Sequence, residues 1–294
     1  WEKRMLATLK EVLEKAEQGN YAVGAFNCTS LESGMAIVET AEELNSPVIL
    51  QYADSHRHLI SIDVIGPIML QLAKIAKVPV VVHLDHGASI ESCRYAVDMG
   101  FTSAMYDASA KPFEDNVAET RSVVEYAHER GASVEAELGH ILTSKAGAAE
   151  GNGKSYTREE AYTDPEMAKE FIERTNVDAL AIGFGTAHGI YTEKPVLDLN
   201  RIALIKSAKD IPYVMHGGSG LSEEEYRTAI HNGIRKINYY TYLSLAGGRG
   251  VMQYLEDKKD KDAIYFEDIA KAGITAMKAD VKRAMKIFES DGKI

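Results

Sequence analysis

The feature that most constrains this chain is a regular alternation of short apolar segments with longer amphipathic ones. The short segments are rich in β-branched residues and almost continuously apolar, which is typical of strands buried on both faces. The longer segments repeat apolar residues at helical spacing. The pattern predicts eight strands, at Tyr21–Asn27, Pro47–Tyr52, Val80–Leu84, Ser103–Tyr106, Ser133–Leu138, Ala179–Gly183, Tyr213–Met215 and Lys236–Tyr239.

Helical segments lie between these strands, and the clearest are Leu31–Leu44, Ile90–Met99, Asn116–Arg130, Pro165–Arg174, Leu199–Lys209 and Glu223–Asn232. Eight β/α alternations predict a parallel sheet covered by helices, and a closed TIM (β/α)8 barrel is the simplest such fold. A doubly wound sheet is the alternative, but no glycine-rich dinucleotide fingerprint follows the first strand. The chain has 294 residues and no linker-like or repeated segment, so we expect one barrel domain over residues 1–294.

The composition argues against several classes of partner. There are 33 Lys and Arg residues against 44 Asp and Glu residues, which gives a net charge of −11. An acidic surface repels nucleic acid and anionic membranes, so we expect neither to bind. The two cysteines, Cys28 and Cys93, do not indicate a disulfide framework, and no segment has the pattern of a signal peptide or a membrane span. These features predict a cytoplasmic protein.

Candidate catalytic residues lie where the predicted strands end, because barrel enzymes place their chemistry at the carboxyl ends of the strands. Asp85 and His86 follow the third strand, His188 follows the sixth and His216 follows the seventh. Asn238 lies near the end of the eighth strand. Imidazole is a favoured zinc ligand, and three protein ligands with one open position describe a catalytic zinc site. The sequence therefore predicts that the three histidines form a zinc centre.

Two acidic residues and a glycine-rich segment extend this site. Glu135 and Glu137 lie two residues apart in the fifth strand, so they face the same side, and carboxylates inside a barrel need a charged partner or a metal ion. The segment Gly217–Gly220 follows the seventh strand, where barrels commonly bind phosphate. It also precedes a helix whose N-terminus would favour an anion. We therefore expect a phosphorylated substrate.

Four motifs at these strand ends resemble those of the class II, zinc-dependent fructose-bisphosphate and tagatose-bisphosphate aldolases. The motifs occur in the family's order, and they are His83–Gly87, Val134–Gly139, Gly185–Gly189 and His216–Gly220. The similarity runs from about Tyr21 to Gly220, and Ala276–Val281 is similar to the family's terminal helix. The resemblance implies a lyase of carbohydrate metabolism, as in glycolysis. Such an enzyme reversibly cleaves a phosphorylated ketose such as fructose 1,6-bisphosphate into dihydroxyacetone phosphate and an aldehyde.

The resemblance also implies roles for the residues around the metal. His86, His188 and His216 would bind the catalytic Zn²⁺, and Glu137 would be an alternative metal-site carboxylate. Asp85 would exchange a proton with the C4 hydroxyl of the ketose as the carbon–carbon bond breaks or forms. On this basis the zinc would replace the Schiff-base lysine that other aldolases need.

Further roles are implied for the loops. Glu150, in a mobile lid formed by Gly139–Tyr162, would move a second proton, and Asn238 would steady the enediolate. The phosphate of the dihydroxyacetone phosphate half would be held, often with a monovalent cation such as Na⁺ or K⁺, by Gly189, Gly217, Gly218, Ser219, Asn238 and Thr241. Relatives are usually dimers or tetramers, so we expect a homo-oligomer.

The chain departs from the family pattern where the aldehyde half of the substrate would lie. Tyr240 stands where relatives carry a small or acidic residue, and Ala53 stands where they carry serine. His56, Arg57 and Arg249 are candidate cations for a distal anionic group, because arginine suits phosphate oxygens. The substrate therefore stays open among fructose 1,6-bisphosphate, tagatose 1,6-bisphosphate and a deoxy- or sulfo-ketose phosphate.

Two other functions compete with aldol cleavage. A zinc hydrolase on the same barrel would activate a water molecule, and the pair of His56 and His58 favours it, although this pair follows the second strand and not the first. A zinc-stabilised binding module is the other hypothesis, which an open three-histidine site with adjacent acids disfavours. A Schiff-base mechanism is not expected. The only lysine in the predicted strands, Lys236, begins the eighth strand, at the wrong end of the barrel for chemistry.

Overall fold

The predicted strands close into a parallel barrel, which confirms the TIM fold. The computed structural model describes residues 5–143, 157–189, 191, 194–259 and 263–294. Each predicted strand is present, and its ends shift by at most three residues. The barrel strands are β1 Val23–Asn27, β2 Val48–Ala53, β3 Val80–Gly87, β4 Ser103–Tyr106, β5 Ser133–Leu138, β7 Ala179–Ile182, β9 Tyr213–Met215 and β10 Ile234–Tyr239. They are joined in the closed order β1-β10-β9-β7-β5-β4-β3-β2.

Helices alternate with the strands and cover the outside of the barrel. Their starts follow local capping chemistry. The Asp164 carboxylate, just before Pro165, accepts from the backbone N–H groups of Glu166 and Met167, and Ser222 forms a capping box with Glu225. The helices are α1 Leu9–Gly19, α2 Leu31–Leu44, α3 Ile62–Ile75, α4 Ile90–Met99, α5 Phe113–His128, α6 Arg158–Ala161, α7 Pro165–Thr175, α8 Leu199–Ala208, α9 Glu223–Asn232, α10 Thr241–Asp257 and α11 Phe266–Ile287, with one 3₁₀ helix at Asp54–His58.

Helix α1 closes the amino-terminal end of the barrel. Leu9 and Leu13 are fully buried, and they belong to an apolar cluster that the strands complete. The strand members of this cluster are Val23, Ala25, Ile49, Val81, Ala179, Ala181 and Val214. A larger apolar core lies between the strands and the outer helices. The carboxyl-terminal mouth is therefore the end at which a substrate can enter.

The barrel interior becomes polar towards that mouth. Along β3, Val81 belongs to the apolar cluster, whereas His83 and then Asp85 face inward above it. Glu135 contacts both His83 and Lys236 across the interior, although β3, β5 and β10 are not neighbouring strands. A buried ionic layer thus separates the apolar floor from the mouth.

Two short strands at the mouth, β6 Leu142–Thr143 and β8 Ala187–His188, form a separate parallel pair. Pairing of Thr143 with His188 ties the segment after β5 to the segment after β7. This contact places His188 at the rim of the barrel. Within the described ranges, no helix has both the length and the apolar character needed to cross a membrane.

Candidate active site

Three histidines converge at the mouth of the barrel, as the sequence predicts. His86, His188 and His216 each offer a ring nitrogen, and these atoms all lie within 4.8 Å of one another. The closest approach is between His86 Nε2 and His216 Nδ1, which are 2.8 Å apart. Three imidazoles that share one small volume, with their nitrogens facing inward, form a candidate metal centre.

Carboxylates fix two of the three rings. His86 Nδ1 lies 2.8 Å from Asp107 Oδ2, and His216 Nε2 lies 2.8 Å from Glu135 Oε1. In each pair the carboxylate accepts from the ring, so the opposite nitrogen is left to face the centre. The backbone of His86 also contributes, because its φ is 46° and the β3–β4 register shifts between Leu84 and Gly87. Such irregularities re-aim side chains beside active sites.

Asp85 is buried next to this centre and is held by two amides. Asn238 Nδ2 donates to Asp85 Oδ1 at 2.9 Å, and Gln51 Nε2 donates to Asp85 Oδ2 at 3.2 Å. Burial alone would raise the pKa of Asp85, but its electrostatic interactions with His86, His216 and Lys236 outweigh burial and lower the pKa to about 2. Asp85 is therefore an ionised carboxylate at neutral pH, able to accept a proton from a substrate hydroxyl.

His86 and His216 differ in protonation, because burial and the nearby charges of His86 and Lys236 lower the pKa of His216 well below its usual value. Burial opposes protonation of His86, but the carboxylates of Asp85 and Asp107 raise its pKa well above the usual value. Glu137 is buried and forms a second group of potential ligands with His86 and Asp107. Glu137 therefore lies where a carboxylate ligand would be useful, on the same inward face of β5 as Glu135.

Lys236 does not begin its strand, although the sequence predicted that it would. Strand β10 begins two residues earlier, at Ile234, so Lys236 lies inside the barrel. Its Nζ is 2.8 Å from Glu135 Oε2 and donates to Asn238 Oδ1 at 2.7 Å. The lysine thus contacts a residue of the site directly.

A cavity of about 160 Å³ opens beside the histidines. Its lining includes the predicted phosphate-site residues Gly189, Gly217, Ser219, Asn238 and Thr241. Gly217 has φ 64°, and a Cβ there would lie 2.5 Å from the carbonyl carbon of Ala187, so only glycine fits. The helix that reaches the cavity is α10, through Thr241.

Gly218 lies behind this cavity rather than on its surface. The space beside its Cα is filled by Met215, Tyr226 and Ile237, and its carbonyl accepts a hydrogen bond from the Tyr226 hydroxyl. Gly218 therefore shapes the loop without lining the cavity. Helix α9, whose N-terminus was expected to favour the anion, is capped by its own Ser222 and Glu225.

The candidate distal cations divide into two groups. His56 lines the cavity, and its ring lies against Tyr240, with centroids 4.5 Å apart. Arg57 is not part of the lining, because its guanidinium pairs with Asp54 at 3.0 Å. Arg249 is exposed on α10 and does not line the cavity either. Glu150 and most of the predicted lid lie outside the described residues.

Sequence reasoning missed Gln51 and Asp107 as supports of the site, and it misplaced Lys236. Gln51 is a polar residue within an otherwise apolar strand, and Asp107 follows a strand end as the histidines do. Both signals were present in the sequence. Their roles rest on two contacts, of Gln51 with Asp85 and of Asp107 with His86, and these contacts depend on strand register.

Fold and site together define a barrel enzyme whose acid–base groups surround a candidate metal centre. The family model of class-II fructose-bisphosphate aldolase matches residues 7–293. A fructose-bisphosphate aldolase of Geobacillus stearothermophilus is 40% identical over 293 residues, which is 98% of each chain. The chain belongs to the class II fructose-bisphosphate aldolase family, and it is an aldolase.

Solved structures agree with this assignment. The YdjI aldolase from Escherichia coli K12 has 35% sequence identity and a TM-score of 0.84, over 98% of this chain and 99% of that one. A fructose-bisphosphate aldolase from Campylobacter jejuni has a TM-score of 0.79 at 23% identity, over 98% of this chain and 97% of that one, and is similar in fold.

Proposed function

We propose that this aldolase is zinc-dependent and reversibly cleaves a ketose 1,6-bisphosphate to dihydroxyacetone phosphate and an aldehyde. The observation that carries the proposal is the convergence of three imidazoles beside the hydrogen-bonded pair of Asp85 and Asn238. The name of the 40% identical relative supports fructose 1,6-bisphosphate as the first candidate substrate. Tagatose 1,6-bisphosphate and a deoxy- or sulfo-ketose phosphate are the alternatives.

The residues present fit a zinc ion. Three imidazoles with an adjacent cavity match the ligand set of an open, catalytic site. The carboxylates behind His86 and His216 match the pattern that orients imidazole ligands and raises their basicity. When bound, zinc supplies a Lewis acid for the carbonyl and hydroxyl oxygens of the substrate.

The chain's own residues then move and stabilise charge. In the cleavage direction Asp85 accepts the proton of the C4 hydroxyl as the carbon–carbon bond breaks, and in synthesis it returns that proton. Asn238 Nδ2 donates towards the negative charge that develops on the dihydroxyacetone phosphate half. Gln51 and Asn238 hold the carboxylate of Asp85 in place while it does so.

The phosphate of the dihydroxyacetone phosphate half lies against the lining formed by Gly189, Gly217, Ser219 and Thr241. Backbone N–H groups of glycine-rich loops and hydroxyl side chains suit an anionic ligand in an otherwise acidic protein. Gly218 supports this loop from behind, and a monovalent cation accompanies the phosphate. Removal of Na⁺ and K⁺ from the assay should therefore raise KM, and an unchanged KM would contradict the cation.

Glu150 is the proposed carrier of the C3 proton of dihydroxyacetone phosphate. In the sequence it lies among Gly147, Gly151 and Gly153, and these four residues are outside the described part of the chain. Glu150→Gln should slow exchange of that proton with solvent. Glu160→Gln, in the exposed contact with Thr157, is the control, and equal exchange rates in the two variants would assign the proton to another group.

The test of function is the release of dihydroxyacetone phosphate from each candidate ketose. EDTA should abolish turnover, and zinc or cobalt should restore it. His86→Ala, His188→Ala and His216→Ala should lose both metal and activity but keep the fold, whereas His231→Ala, at a side chain 53% exposed on α9, should keep both. Full activity of metal-free protein contradicts the zinc, and no release from any ketose contradicts the function.

The hydrolase alternative lacks support at the site. His58 Nδ1 lies 2.8 Å from the Ser55 carbonyl, and His56 packs on Tyr240. Neither belongs to a group of potential metal ligands in the described part of the chain.

The proposal also includes a cytoplasmic location, to be tested by cell fractionation, no binding to nucleic acid or membranes, and assembly into a homodimer or homotetramer. The exposed Met252 and Phe266 on α10 and α11 support the assembly, and sedimentation velocity measures it.

A further inference from the structure

We infer that Lys236 is a positioning residue of this aldolase, which sets the Asn238 amide with its NH₂ group towards Asp85 and the reacting atoms. The inference rests on the proposed function, because it takes Asn238 to contact the substrate. Lys236 is fully buried, and it lies two residues before Asn238 on the same inward face of β10.

The neighbours of Asn238 leave one orientation for its amide. A lysine side chain donates hydrogen bonds but does not accept them, so the Asn238 atom at 2.7 Å from Nζ is the carbonyl oxygen. The nitrogen then points the other way and donates to Asp85 Oδ1 at 2.9 Å. A carboxylate accepts but does not donate, so the two neighbours independently specify the same orientation.

Lys236 is itself held by the opposite wall of the barrel. Its Nζ lies 2.8 Å from Glu135 Oε2, and both side chains have 0% exposure. The other oxygen of Glu135 accepts from His216 Nε2 at 2.8 Å. Because β5 and β10 are not neighbours, this ion pair spans the interior just below the site. The ion pair to Glu135 and the hydrogen bond to Asn238 restrict the buried ammonium from two sides, so its position limits the orientation of the amide.

Without the lysine, only one of the two contacts that specify the orientation of the amide remains, so a turn by half a rotation would cost less free energy. The turned amide would direct its carbonyl at Asp85 and withdraw the donor from the developing negative charge. Loss of supporting contacts of this kind typically reduces activity about 10- to 100-fold. We expect that reduction in kcat for Lys236→Met, with unchanged zinc content.

The experiment compares Lys236→Met with Lys278→Met, which removes ion pairs to Glu39 and Glu43 on the outer helices. Three quantities are measured: kcat for cleavage, zinc content, and the Kd of a phosphorylated hydroxamate that mimics the enediolate. Lys236→Met should raise the Kd of the hydroxamate by a factor similar to the loss in kcat, and it should change the KM of the substrate less. Lys278→Met should change none of the three quantities. Parental values of kcat and Kd in Lys236→Met would overturn the inference.

A double-mutant cycle separates positioning from packing. If Lys236 acts through Asn238, then Lys236→Met should cause little further loss of kcat in an Asn238→Ala background. Equal losses in both backgrounds would overturn the inference. Should Lys236→Met fold poorly because it leaves Glu135 buried without a cation, Lys236→Met/Glu135→Gln removes both charges. Because Glu135 also contacts His216, the kcat of this double variant is compared with that of Glu135→Gln alone, and the same further loss is expected. Equal kcat in these two variants also overturns the inference, whereas a parent protein that releases no dihydroxyacetone phosphate refutes the proposed function instead.

Discussion

At the scale of single residues, Asp85 and Asp107 lie on either side of His86 and have different contacts. Asp107 accepts from the ring of His86 at 2.8 Å, whereas Asp85 is 4.0 Å from His86 Nε2 and is bound by the amides of Gln51 and Asn238. The first geometry orients a candidate metal ligand, and the second holds an ionised carboxylate at the cavity where we propose that the substrate binds. Substitution of the two aspartates should therefore have different effects, on kcat for Asp85 and on zinc affinity for Asp107.

Asp85→Ala should reduce kcat by roughly 10²–10⁴, the range for loss of a general acid–base group, with zinc content near that of the parent. Asp107→Ala should weaken zinc binding about 10- to 100-fold and regain much of its kcat at saturating zinc. Metal analysis of the purified proteins and kcat measured across a zinc titration distinguish the two. Recovery of Asp85→Ala by added zinc would show that Asp85 supports the metal and not the proton.

Tyr240 is the residue that most changes the shape of the cavity relative to the family pattern. Its ring packs on His56 at the cavity lining, so Tyr240→Ala opens space where the aldehyde half is expected. We expect the ratio of kcat/KM for fructose and tagatose bisphosphates to change by about tenfold, within the range of pocket-shape effects. Proton exchange of dihydroxyacetone phosphate should stay at the parental rate. Tyr265→Ala, at a tyrosine that is 63% exposed, is the control. If the kcat/KM ratio of Tyr240→Ala equals that of this control, Tyr240 does not determine the choice of substrate.

At the scale of structural elements, one hydroxyl joins the two loops that hold the site. Tyr191 accepts from the Ala187 N–H at 2.9 Å and donates to the Gly217 carbonyl at 2.6 Å. Tyr191→Phe breaks both contacts, so we expect KM to rise and stability to fall by about 1 kcal/mol. Tyr213→Phe removes a comparable bond, to the Lys209 carbonyl at the other end of the barrel. It should lose similar stability without a change in KM, and equal KM values in the two variants would contradict the link.

The strands and helices could be predicted because a buried parallel strand has a local sequence pattern, a continuous run of apolar residues. Only the start of β10 was harder to place, because it was predicted at Lys236 and lies at Ile234. Charged residues such as Arg235 and Lys236 are unusual inside a buried strand, yet both are buried, because Glu17 pairs with the first and Glu135 with the second. Both partners are more than 90 residues away in the chain, so no local pattern records the pairing.

The same distinction applies to the site. The three histidines could be predicted because strand ends of a barrel share one rim, whatever the register of the strands. The contact of Gln51 with Asp85 requires the register of β2 against β3 and the inward orientation of both residues. Contacts across the barrel, such as Lys236 with Glu135, require its closure as well. Sequence patterns therefore predict the candidate metal ligands better than the residues that support them.

At the scale of the whole molecule, the apolar floor and the site occupy opposite ends of the barrel. Helix α1 and the apolar cluster stabilise the amino-terminal end, and the outer helices bury the larger core. The three histidines belong to neither of these apolar clusters. The barrel should therefore fold without metal, and metal binding should add stability to an already folded protein.

Zinc binding should raise the melting temperature in a concentration-dependent way, because a ligand that binds only the folded state stabilises it. At 100 times its Kd the expected gain is about 2.7 kcal/mol. His188→Ala should keep the melting temperature of the metal-free parent and no longer respond to zinc, since it removes one of the three ligands. His231→Ala, on the outer surface of α9, should respond as the parent does. A zinc titration followed by thermal unfolding measures all three proteins, and a parent whose melting temperature is insensitive to zinc would show that the three imidazoles do not form a metal site.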